Sequence, residues 1–341
     1  MMKVLITGGC GFIGSNFIRY FFKKHPSYEI INLDKLTYAG NLENLKGFEK
    51  KKSYRFVKAD ISSAALMKKV FRRFEPDAVI NFAAESFVDR SISAPAPFIK
   101  TNIQGVGVLL NCALEYGIKK FLQISTDEVY GSILRGKFRE TNILDPSSPY
   151  SASKAAADGL TIAYYKTYRL PVLITRSSNN YGPYQFPEKF IPLIVFNALR
   201  NKKIPLYGDG MHVRDWIYVE DNCRAIDTVF HKGKIGEIYN IGGQYERTNT
   251  YVVHKILGIL GKPRDLIVRV KDRSGHDRRY ALSISKISKN LGWQPKIPFE
   301  QGIKKTIRWY QDNAEWLKNT QTGAYRSFYR KYYSKLGLEN I

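Results

Sequence analysis

The stretch T-G-G-C-G-F-I-G, residues 7–14, follows a short apolar run and precedes a segment with helical periodicity. Gly9, Gly11 and Gly14 fit the spacing G-x-G-x-x-G, and Gly8, Gly11 and Gly14 fit the related spacing G-x-x-G-x-x-G. Glycine permits a tight turn between a strand and a helix, and it lets the backbone come close to a pyrophosphate. The free N–H groups and the positive dipole end at the start of a helix favour an anion there. The octapeptide therefore predicts a dinucleotide site at the first strand–helix junction.

Apolar runs and helical patterns alternate through the first half of the chain. Helical periodicity is clearest at 14–24, 98–116 and 150–168. Apolar strands separated by helices are typical of a parallel sheet covered on both faces. The predicted strands are 3–7, 29–34, 54–60, 78–83, 121–125, 171–176 and 237–242. We therefore expect an α/β fold with a Rossmann-type, doubly wound parallel sheet.

The pattern loosens in the second half. The segment 177–216 is rich in Asn, Tyr, Pro and Gly, and it predicts long loops around a helix at 188–200. The last third predicts helices near 250–260 and 300–313 and contains an arginine-rich loop at 272–280. These segments predict a smaller lobe packed over the mouth of the sheet.

The composition is that of an ordinary soluble globular protein, with 44% apolar and 25% charged residues among 341. The net charge of +24 comes from scattered basic residues without a nucleic-acid-binding motif, so we expect no nucleic-acid partner. No apolar run is long enough for a membrane span, and the N-terminus does not resemble a signal peptide. The widely spaced Cys10, Cys112 and Cys223 argue against a disulfide framework and a zinc site. We expect a cytoplasmic protein without a membrane partner and without a metal.

Asp34 ends the second predicted strand, 20 residues after Gly14. A carboxylate at this place hydrogen-bonds the adenosine ribose and disfavours a 2′-phosphate. The neighbouring Lys35 could be read as a sign of NADP, but Asp34 occupies the usual acidic position. We therefore expect NAD as the cofactor.

The segment Y-S-A-S-K, residues 150–154, opens a predicted helix and places Tyr150 and Lys154 on one face. Tyrosine is a poor base at its ordinary pKa of about 10. A nearby ammonium, together with a positive nicotinamide ring, would favour the phenolate. Ser125 or Thr126, at the end of the preceding strand, can share a proton with the phenol oxygen. Together these groups can take a hydroxyl proton while a hydride leaves the same carbon.

An acid pair, Asp127 and Glu128, stands in S-T-D-E-V-Y-G, residues 125–131, directly after an apolar strand. Neighbouring side chains in a strand face opposite ways, so both can serve one ligand only if the chain leaves strand geometry there. Two close carboxyls split their titrations, which lets one stay protonated while the other is charged. The pair therefore predicts acid–base chemistry beyond hydride transfer.

These motifs together resemble the extended short-chain dehydrogenase/reductases and, more narrowly, the dTDP-glucose 4,6-dehydratases, over nearly the whole chain. Beyond the motifs already quoted, the resemblance rests on L-D-K-L-T-Y-A-G-N-L (33–42), A-A-E-S-F-V-D-R-S-I (83–92), Y-S-A-S-K-A-A-A-D (150–158), R-S-S-N-N-Y-G-P-Y-Q-F-P-E-K (176–189), Y-G-D-G-M-H-V-R-D-W (207–216), E-R-T-N (246–249) and G-H-D-R-R-Y (275–280).

The resemblance implies a hydro-lyase that converts dTDP-glucose into dTDP-4-keto-6-deoxyglucose and water, as in the synthesis of rhamnose and other deoxysugars. By the family's roles, Tyr150 takes the C4 hydroxyl proton. Glu128 removes the C5 proton, and Asp127 protonates the departing C6 hydroxyl. The full implied catalytic set is Thr126, Asp127, Glu128, Tyr150 and Lys154.

Three alternatives stay open. UDP-glucose or another nucleotide-glucose could undergo the same reaction. A nucleotide-sugar 4-epimerase is disfavoured by Asp127 and Glu128, because epimerases of this superfamily lack the pair. A non-catalytic NAD-binding or nucleic-acid-binding protein is disfavoured because the catalytic set is complete.

The resemblance also implies two sets of ligand contacts. The cofactor contacts are Gly8, Gly11, Phe12, Ile13, Gly14, Asp34, Lys35, Thr37, Asp60, Ile61, Phe82, Ala83, Ala84, Thr101, Tyr150, Lys154 and Asn180. The nucleotide-sugar contacts are Ser86, Thr126, Asn179, Lys189, Phe190, Pro205, Tyr207, Arg214, Asn249, Arg273 and His276.

The implied NAD-binding domain comprises residues 1–176 and 217–242, and the implied nucleotide-sugar-binding lobe comprises 177–216 and 243–341. Family members usually pair through two long helices per subunit, and 98–116 with 150–168 would supply them, so we expect a homodimer with a four-helix bundle. Two positions depart from the family pattern, because Phe87 and Asn81 stand where histidine is usual or frequent.

Overall fold

The computed structural model describes residues 2–320, so the predicted lobe residues 321–341 lie outside the described part. The strands are β1 (Lys3–Thr7), β2 (Glu29–Asp34), β3 (Tyr54–Lys58), β4 (Ala78–Asn81), β5 (Lys120–Thr126), β6 (Val172–Ser177), β7 (Asn179–Tyr181), β8 (Ile204–Tyr207), β9 (Val213–Tyr218), β10 (Ile238–Ile241), β11 (Glu246–Thr248) and β12 (Ile267–Val270).

The helices are α1 (Phe12–Lys24), α2 (Ala64–Phe74), α3 (Val88–Ser93), α4 (Ala96–Phe98), α5 (Val106–Glu115), α6 (Pro149–Tyr168), α7 (Phe190–Leu199), α8 (Val219–Lys232), α9 (Asn249–Leu260), α10 (Ser285–Leu291), α11 (Phe299–Asp312) and α12 (Ala314–Asn319). A π-helical segment, Ile99–Gly105, joins α4 to α5. The predicted helix 98–116 is therefore one helical run that begins two residues earlier and ends one residue earlier than expected.

The central sheet has seven strands in the order β10-β6-β5-β4-β1-β2-β3, and all of its strand pairs are parallel. The order reverses between β1 and β4. In open α/β sheets, ligands bind in the crevice outside the carboxyl ends of the strands at such a switch point. The predicted Rossmann-type parallel sheet is confirmed.

Two predicted strands run two residues past the carboxyl ends of the observed strands. The ranges 54–60 and 78–83 continue past the ends of β3 and β4. After β4 the backbone of Phe82 and Ala83 turns to pack directly against Gly8. The apolar pattern continues there because the segment lines the crevice rather than the sheet.

The sheet core follows from side-chain alternation along each strand. Val4 and Ile6 on β1 point to one face and pack with apolar residues of α1 and α8. Leu5 points to the other face and packs with residues of α2, α5 and α6. All three side chains are fully buried. A strand covered on both faces needs this continuous apolar run, which is why β1 could be located from sequence.

A separate apolar cluster is formed by the later segments, where Ile194, Trp216, Ile256, Phe299 and Tyr310 pack together. It is surrounded by α7, α9, α11 and α12, beside a three-stranded sheet of order β11-β9-β7 and the pair β12–β8. The predicted helices near 188–200, 250–260 and 300–313 are confirmed as α7, α9 and α11.

The C-terminal segments do not all join that second cluster. Ile287 on α10 and the nearby Trp293 pack in the cluster that covers α1 and α8 on the central sheet. The division into two domains at the expected boundaries stays a prediction. Among residues 2–320, no helix combines the length and the apolarity that crossing a membrane requires.

Candidate active site

A cleft of about 300 Å³ lies at the carboxyl ends of the central strands. Its walls combine the glycine turn after β1, the segment after β4, the end of β5 and the start of α6. Every residue implied as a cofactor contact borders this cleft, and so do all five implied catalytic residues. Residues from positions 8 to 189 are therefore gathered around one cavity.

The glycine turn is packed so tightly that side chains could not enter it. A Cβ atom at Gly8 would lie 2.5 Å from the backbone nitrogen of Ala83, and Gly8 has a φ of +69°. A Cβ atom at Gly14 would lie 2.3 Å from the carbonyl oxygen of Gly8. Gly11 is the N-cap of α1, and the first turn of α1 contains no acidic residue. The N–H groups at this helix start are thus available to an anion.

Asp34 lies at the end of β2 beside the glycine turn. One carboxylate oxygen accepts a hydrogen bond from the backbone of Cys10 (2.9 Å) and the other from Leu36 (2.8 Å). Lys35 does not pair with Asp34, because its Nζ lies 2.8 Å from Oδ2 of Asp60. The carboxylate is therefore fixed in place at the cleft wall, and the nearby cation is paired with another acid.

Tyr150 is positioned by the start of α6. Ser148 and Ser151 form a capping box, which places Tyr150 in the first helical turn. The Tyr150 phenol is buried and hydrogen-bonds the Thr126 side chain. One turn later, Lys154 Nζ donates to the carbonyl oxygen of Ile124 at 2.6 Å. The helix and the end of β5 thus hold the tyrosine–lysine pair against the cleft.

The phenol of Tyr150 keeps its proton in the protein alone. Burial raises its pKa, the negative charge of Glu128 raises it further, and the hydrogen bond with Thr126 opposes them. Burial also lowers the pKa of Lys154 to about 8. The phenolate expected from sequence therefore requires the additional positive charge of a nicotinamide ring.

The acid pair sits where β5 gives way to a 3₁₀ turn over Asp127–Tyr130. Thr126 caps this turn, since its hydroxyl accepts from the backbone N–H of Glu128 at 3.2 Å. The expected break in strand geometry is confirmed, and it lets both carboxyls border the cleft. Asp127 is only 2% exposed, so its ionisation depends on its immediate neighbours.

The two carboxyls have different electrostatic surroundings. Burial raises the pKa of Asp127 well above its ordinary value, and the charges of Glu128 and Asp215 add to this rise. Burial also raises the pKa of Glu128. That rise is opposed by three cations, Arg273, Arg214 and Lys189. The proton of the pair therefore belongs on Asp127, and the negative charge belongs on Glu128.

The two arginines near Glu128 are held by other residues. Arg273 Nη1 lies 3.2 Å from a carboxylate oxygen of Asp89, and the Tyr207 hydroxyl donates to the other oxygen at 3.3 Å. The Arg214 guanidinium lies over the ring of Tyr280 at 4.3 Å. Arg214 is thus buried and Arg273 partly buried, and both are fixed beside the acid pair.

The implied nucleotide-sugar contacts fall into two groups. Ser86, Thr126, Asn179 and Lys189 border the cleft. The others lie outside the lining of this cleft and are Phe190, Pro205, Tyr207, Arg214, Asn249, Arg273 and His276. Within the second group, the Tyr207 ring meets the edge of the His276 ring at 6.1 Å between centroids. Phe190 instead stacks on Trp216 at 6.1 Å, in the second apolar cluster.

Comparison with known proteins identifies the family. The family model described as GDP-mannose 4,6 dehydratase matches residues 5–306. The curated dTDP-glucose 4,6-dehydratase of Salmonella typhimurium is 48% identical, over 97% of this chain and 99% of that protein. The chain belongs to the nucleotide-sugar 4,6-dehydratase family.

Solved structures of the family have the same fold. The dTDP-glucose 4,6-dehydratase of Bacillus anthracis, in complex with NAD, is 50% identical with a TM-score of 0.88, over 94% of this chain and 100% of that one. The dTDP-glucose 4,6-dehydratase of Streptomyces venezuelae, with NAD and a dTDP ligand bound, is 47% identical with a TM-score of 0.91 and the same coverage.

The two departures from the usual dehydratase pattern have structural explanations. Phe87 is buried, and the ammonium of Lys189 lies 5.1 Å above its ring. Lys189 Nζ also donates to the carbonyl oxygen of Ser86 at 2.7 Å. Asn81 accepts from Thr7 and donates to Gln123 at 2.8 Å, so it links three central strands. Phe87 thus positions a cation, and Asn81 is structural.

Sequence reasoning on this dehydratase missed several buried acids around the cleft. Asp89 holds Arg273 and Tyr207, and it stands within the quoted motif at 83–92. Glu188 borders the cleft, accepts from the Tyr38 hydroxyl at 2.7 Å and pairs with Arg90 at 3.2 Å. Their positions inside the quoted motifs offered a signal, but their partners lie 98 to 184 residues away in the chain.

Proposed function

We propose that this protein is a dTDP-glucose 4,6-dehydratase, a hydro-lyase that converts dTDP-glucose into dTDP-4-keto-6-deoxyglucose and water. The observation that carries the proposal is the buried acid pair facing the same cleft as Tyr150 and Lys154. Besides NAD as the hydride acceptor, oxidation at C4 uses the tyrosine and the lysine and does not need the acid pair. An elimination of water also requires a general acid and a general base, and a protonated Asp127 beside an ionised Glu128 supplies both.

NAD fits the cleft of this protein. The glycine turn leaves a cradle that a single Cβ atom would fill, and Asp34 stands where it can accept from a ribose hydroxyl. Because Lys35 pairs with Asp60, no free cation faces a 2′-phosphate from that position. When bound, NAD would supply reversible hydride storage, from C4 of the sugar and back to C6. Residues 1–176 and 217–242 would form the domain that binds it.

Tyr150 would accept the C4 hydroxyl proton as the hydride leaves that carbon. The 4-keto group then makes the C5 proton acidic. Glu128, ionised beside its three cations, would remove that proton. Asp127, protonated by its surroundings, would deliver its proton to the C6 hydroxyl so that water departs. The C5–H and C6–O bonds break, a C5–C6 double bond forms, and hydride returned to C6 with a proton at C5 completes the product.

The nucleotide would lie beside the implied nucleotide-sugar contacts that stand outside the lining of the cleft. Arg214 and Arg273 are suited to a diphosphate, because a guanidinium can contact two oxygens at once. The charges of the same two arginines act on Glu128, so they lie near the acid pair. The sugar would therefore lie between Glu128 and the arginines. The similar dehydratases from Salmonella typhimurium and Streptomyces venezuelae favour dTDP over UDP as the nucleotide.

Mass spectrometry of each substrate after incubation with the purified protein tests this proposal. We expect dTDP-glucose to lose one water, without added NAD if the cofactor is retained on purification. Faster conversion of UDP-glucose would keep the reaction and change the nucleotide. A change of retention time without a loss of mass would instead indicate epimerisation.

We also propose a homodimer formed through α5 and α6, in a four-helix bundle. These helices pack on each other, and Tyr164 on α6 donates to Asn111 on α5 at 2.6 Å. Their outer side exposes the large apolar side chains of Leu114 and Tyr168. A Cβ atom at Gly159 on α6 would meet nothing within 4 Å in one subunit. Gly159→Arg should therefore fold and shift the mass measured by light scattering from dimer to monomer.

A cytoplasmic location and a role in deoxysugar synthesis complete the proposal. The three cysteines are free and buried, as suits a reducing compartment. A 4-keto-6-deoxy sugar can lead to rhamnose, to other deoxysugars or to aminosugars. Detection of dTDP-rhamnose after addition of the later enzymes would test the first of these routes.

A further inference from the structure

A cluster of histidine and aspartate side chains lies outside the cleft, between two helices on one face of the central sheet. His25 is the C-cap of α1, and Asp227 and His231 lie four residues apart on α8. His25 Nε2 is 2.8 Å from Asp227 Oδ1, and His231 Nδ1 is 2.9 Å from the same oxygen. One ligand atom from each of the three residues lies within 4.8 Å of the others.

Outer residues hold these donor atoms in orientation. His231 Nε2 lies 3.1 Å from the Tyr28 hydroxyl and can donate its N–H to it, which leaves the lone pair of Nδ1 for a metal ion. The Tyr20 hydroxyl donates to Asp227 Oδ2 at 3.2 Å, which leaves Oδ1 towards the two imidazoles. The imidazoles stack at 4.5 Å between centroids. Hydrogen bonds from outer groups that orient imidazole and carboxylate ligands are characteristic of metal sites.

We propose that His25, Asp227 and His231 bind a zinc ion, with a water as fourth ligand on the exposed side of His231. Two imidazoles and one carboxylate form a donor set that suits Zn²⁺. A tetrahedral ion with bonds of about 2.0–2.2 Å separates adjacent donor atoms by roughly 3.3–3.6 Å. The present separations of 2.8 and 2.9 Å would need to widen by about half an ångström, which side-chain rotation can supply.

The second His–Asp–His cluster is less suited to a cation. His212, Asp272 and His276 also bring their ligand atoms together. However, the positive charges of Arg273 and Arg214 act on His276, and these arginines face the proposed substrate site. Around the first cluster, Arg224 pairs with Asp221 at 2.6 Å, and Lys120, whose charge acts on His231, donates to the Phe230 carbonyl at 2.6 Å.

A zinc ion at this place would tie α1 to α8. α1 begins at the glycine turn and ends next to His25. The zinc ion would therefore fix the C-terminal end of α1 and would not contact the reacting groups. The earlier expectation of no metal rested on the cysteines and did not weigh side chains that lie about 200 residues apart in sequence. Binding to the folded state alone would increase the ratio of folded to unfolded protein about 100-fold at a zinc concentration 100 times the dissociation constant.

Competition with a chromophoric zinc indicator tests the proposal on chelator-treated full-length protein. We expect one high-affinity zinc per chain and a rise in melting temperature on zinc addition. His231→Asn should lose both effects and keep native dehydratase activity. His254→Asn, which changes a histidine outside both clusters, should keep both effects. His25→Gln is a second variant on the other helix, should His231→Asn fold poorly.

Cobalt(II) gives a further measurement on the unaltered chain, because a tetrahedral nitrogen–oxygen site has intense visible absorption bands and an octahedral surface site does not. Absence of stoichiometric zinc binding would overturn the proposal. So would undiminished binding in both His25→Gln and His231→Asn, or a loss of binding that follows His212→Asn alone.

Discussion

Replacing Glu128 by glutamine should separate the oxidation of the sugar from the elimination of water. The side chain keeps nearly its shape, but it can no longer accept the C5 proton. The surrounding cations retain other partners, because Arg273 stays paired with Asp89 and Arg214 stays over the Tyr280 ring. The variant should therefore fold, and its defect should be chemical.

The magnitude follows from the loss of a positioned general base. Such groups contribute about 10²–10⁴-fold, or about 2.7–5.4 kcal/mol of barrier at 1.36 kcal/mol per tenfold change. Oxidation at C4 should not slow. The charge of Glu128 raises the pKa of Tyr150, so removing it increases the fraction of the phenolate, which is the form that accepts the C4 proton. Reduced cofactor should then accumulate, since the step that consumes it comes after elimination.

Two readouts check this expectation in a single turnover. Ultraviolet absorbance follows reduced nicotinamide, and mass spectrometry in deuterated water follows both loss of water and entry of deuterium at C5. We expect a stable absorbance rise with little dehydration in Glu128→Gln. Glu237→Gln makes the same chemical change at an ion pair with Lys286 outside the cleft, and it should behave as the native protein. Dehydration by Glu128→Gln at the native rate would refute the assignment of the base.

Three other substitutions test separate parts of the site. Asp127→Asn removes the proton donor while leaving Glu128, so turnover should fall about 10²–10⁴-fold while mass spectrometry still finds deuterium entering C5 of the unreacted sugar. Asp215→Asn should change how the free energy of unfolding depends on pH, because burial raises the pKa of Asp215 to about 6. The stabilisation of the native protein by the protonated Asp215 carboxyl is fully present below pH about 4 and is lost as the pH rises through about 6. Denaturant unfolding should then show the variant gaining about 3 kcal/mol relative to the native protein between pH about 4 and pH about 8, and an unchanged difference would contradict the assigned burial. Gly14→Ala would place a Cβ 2.3 Å from a carbonyl oxygen, so the purified protein should release little or no NAD on denaturation, and full NAD content would disprove the tight turn.

Much of the fold could be predicted from sequence because its signals are local. The glycine turn, the apolar run of β1 and the acidic end of β2 each need only a few neighbouring residues to be recognised. The break in strand geometry after Thr126 was also predicted from neighbouring residues, because both acids of the pair can face one ligand only if the strand ends there. The structure has a 3₁₀ turn at this place. Strong helical periodicity over 150–168 located α6 almost to the residue.

The electrostatic division of the acid pair could not be predicted from sequence. It depends on Asp215, which is distant in the chain from Asp127, and on Lys189, Arg214 and Arg273 around Glu128. These side chains meet only after the second apolar cluster has packed beside the sheet. Phe190 packs on Trp216 outside the lining of the cleft, a contact that the sequence around it does not indicate.

The central claim is that one cleft oxidises C4, eliminates water across C5 and C6, and reduces C6 of the same sugar. It is tested most directly with dTDP-glucose that carries deuterium at C4, followed by mass spectrometry and NMR of the product. We predict that the product loses one water and carries the deuterium at C6. Loss of the deuterium to solvent, or its retention at C4, would contradict this account.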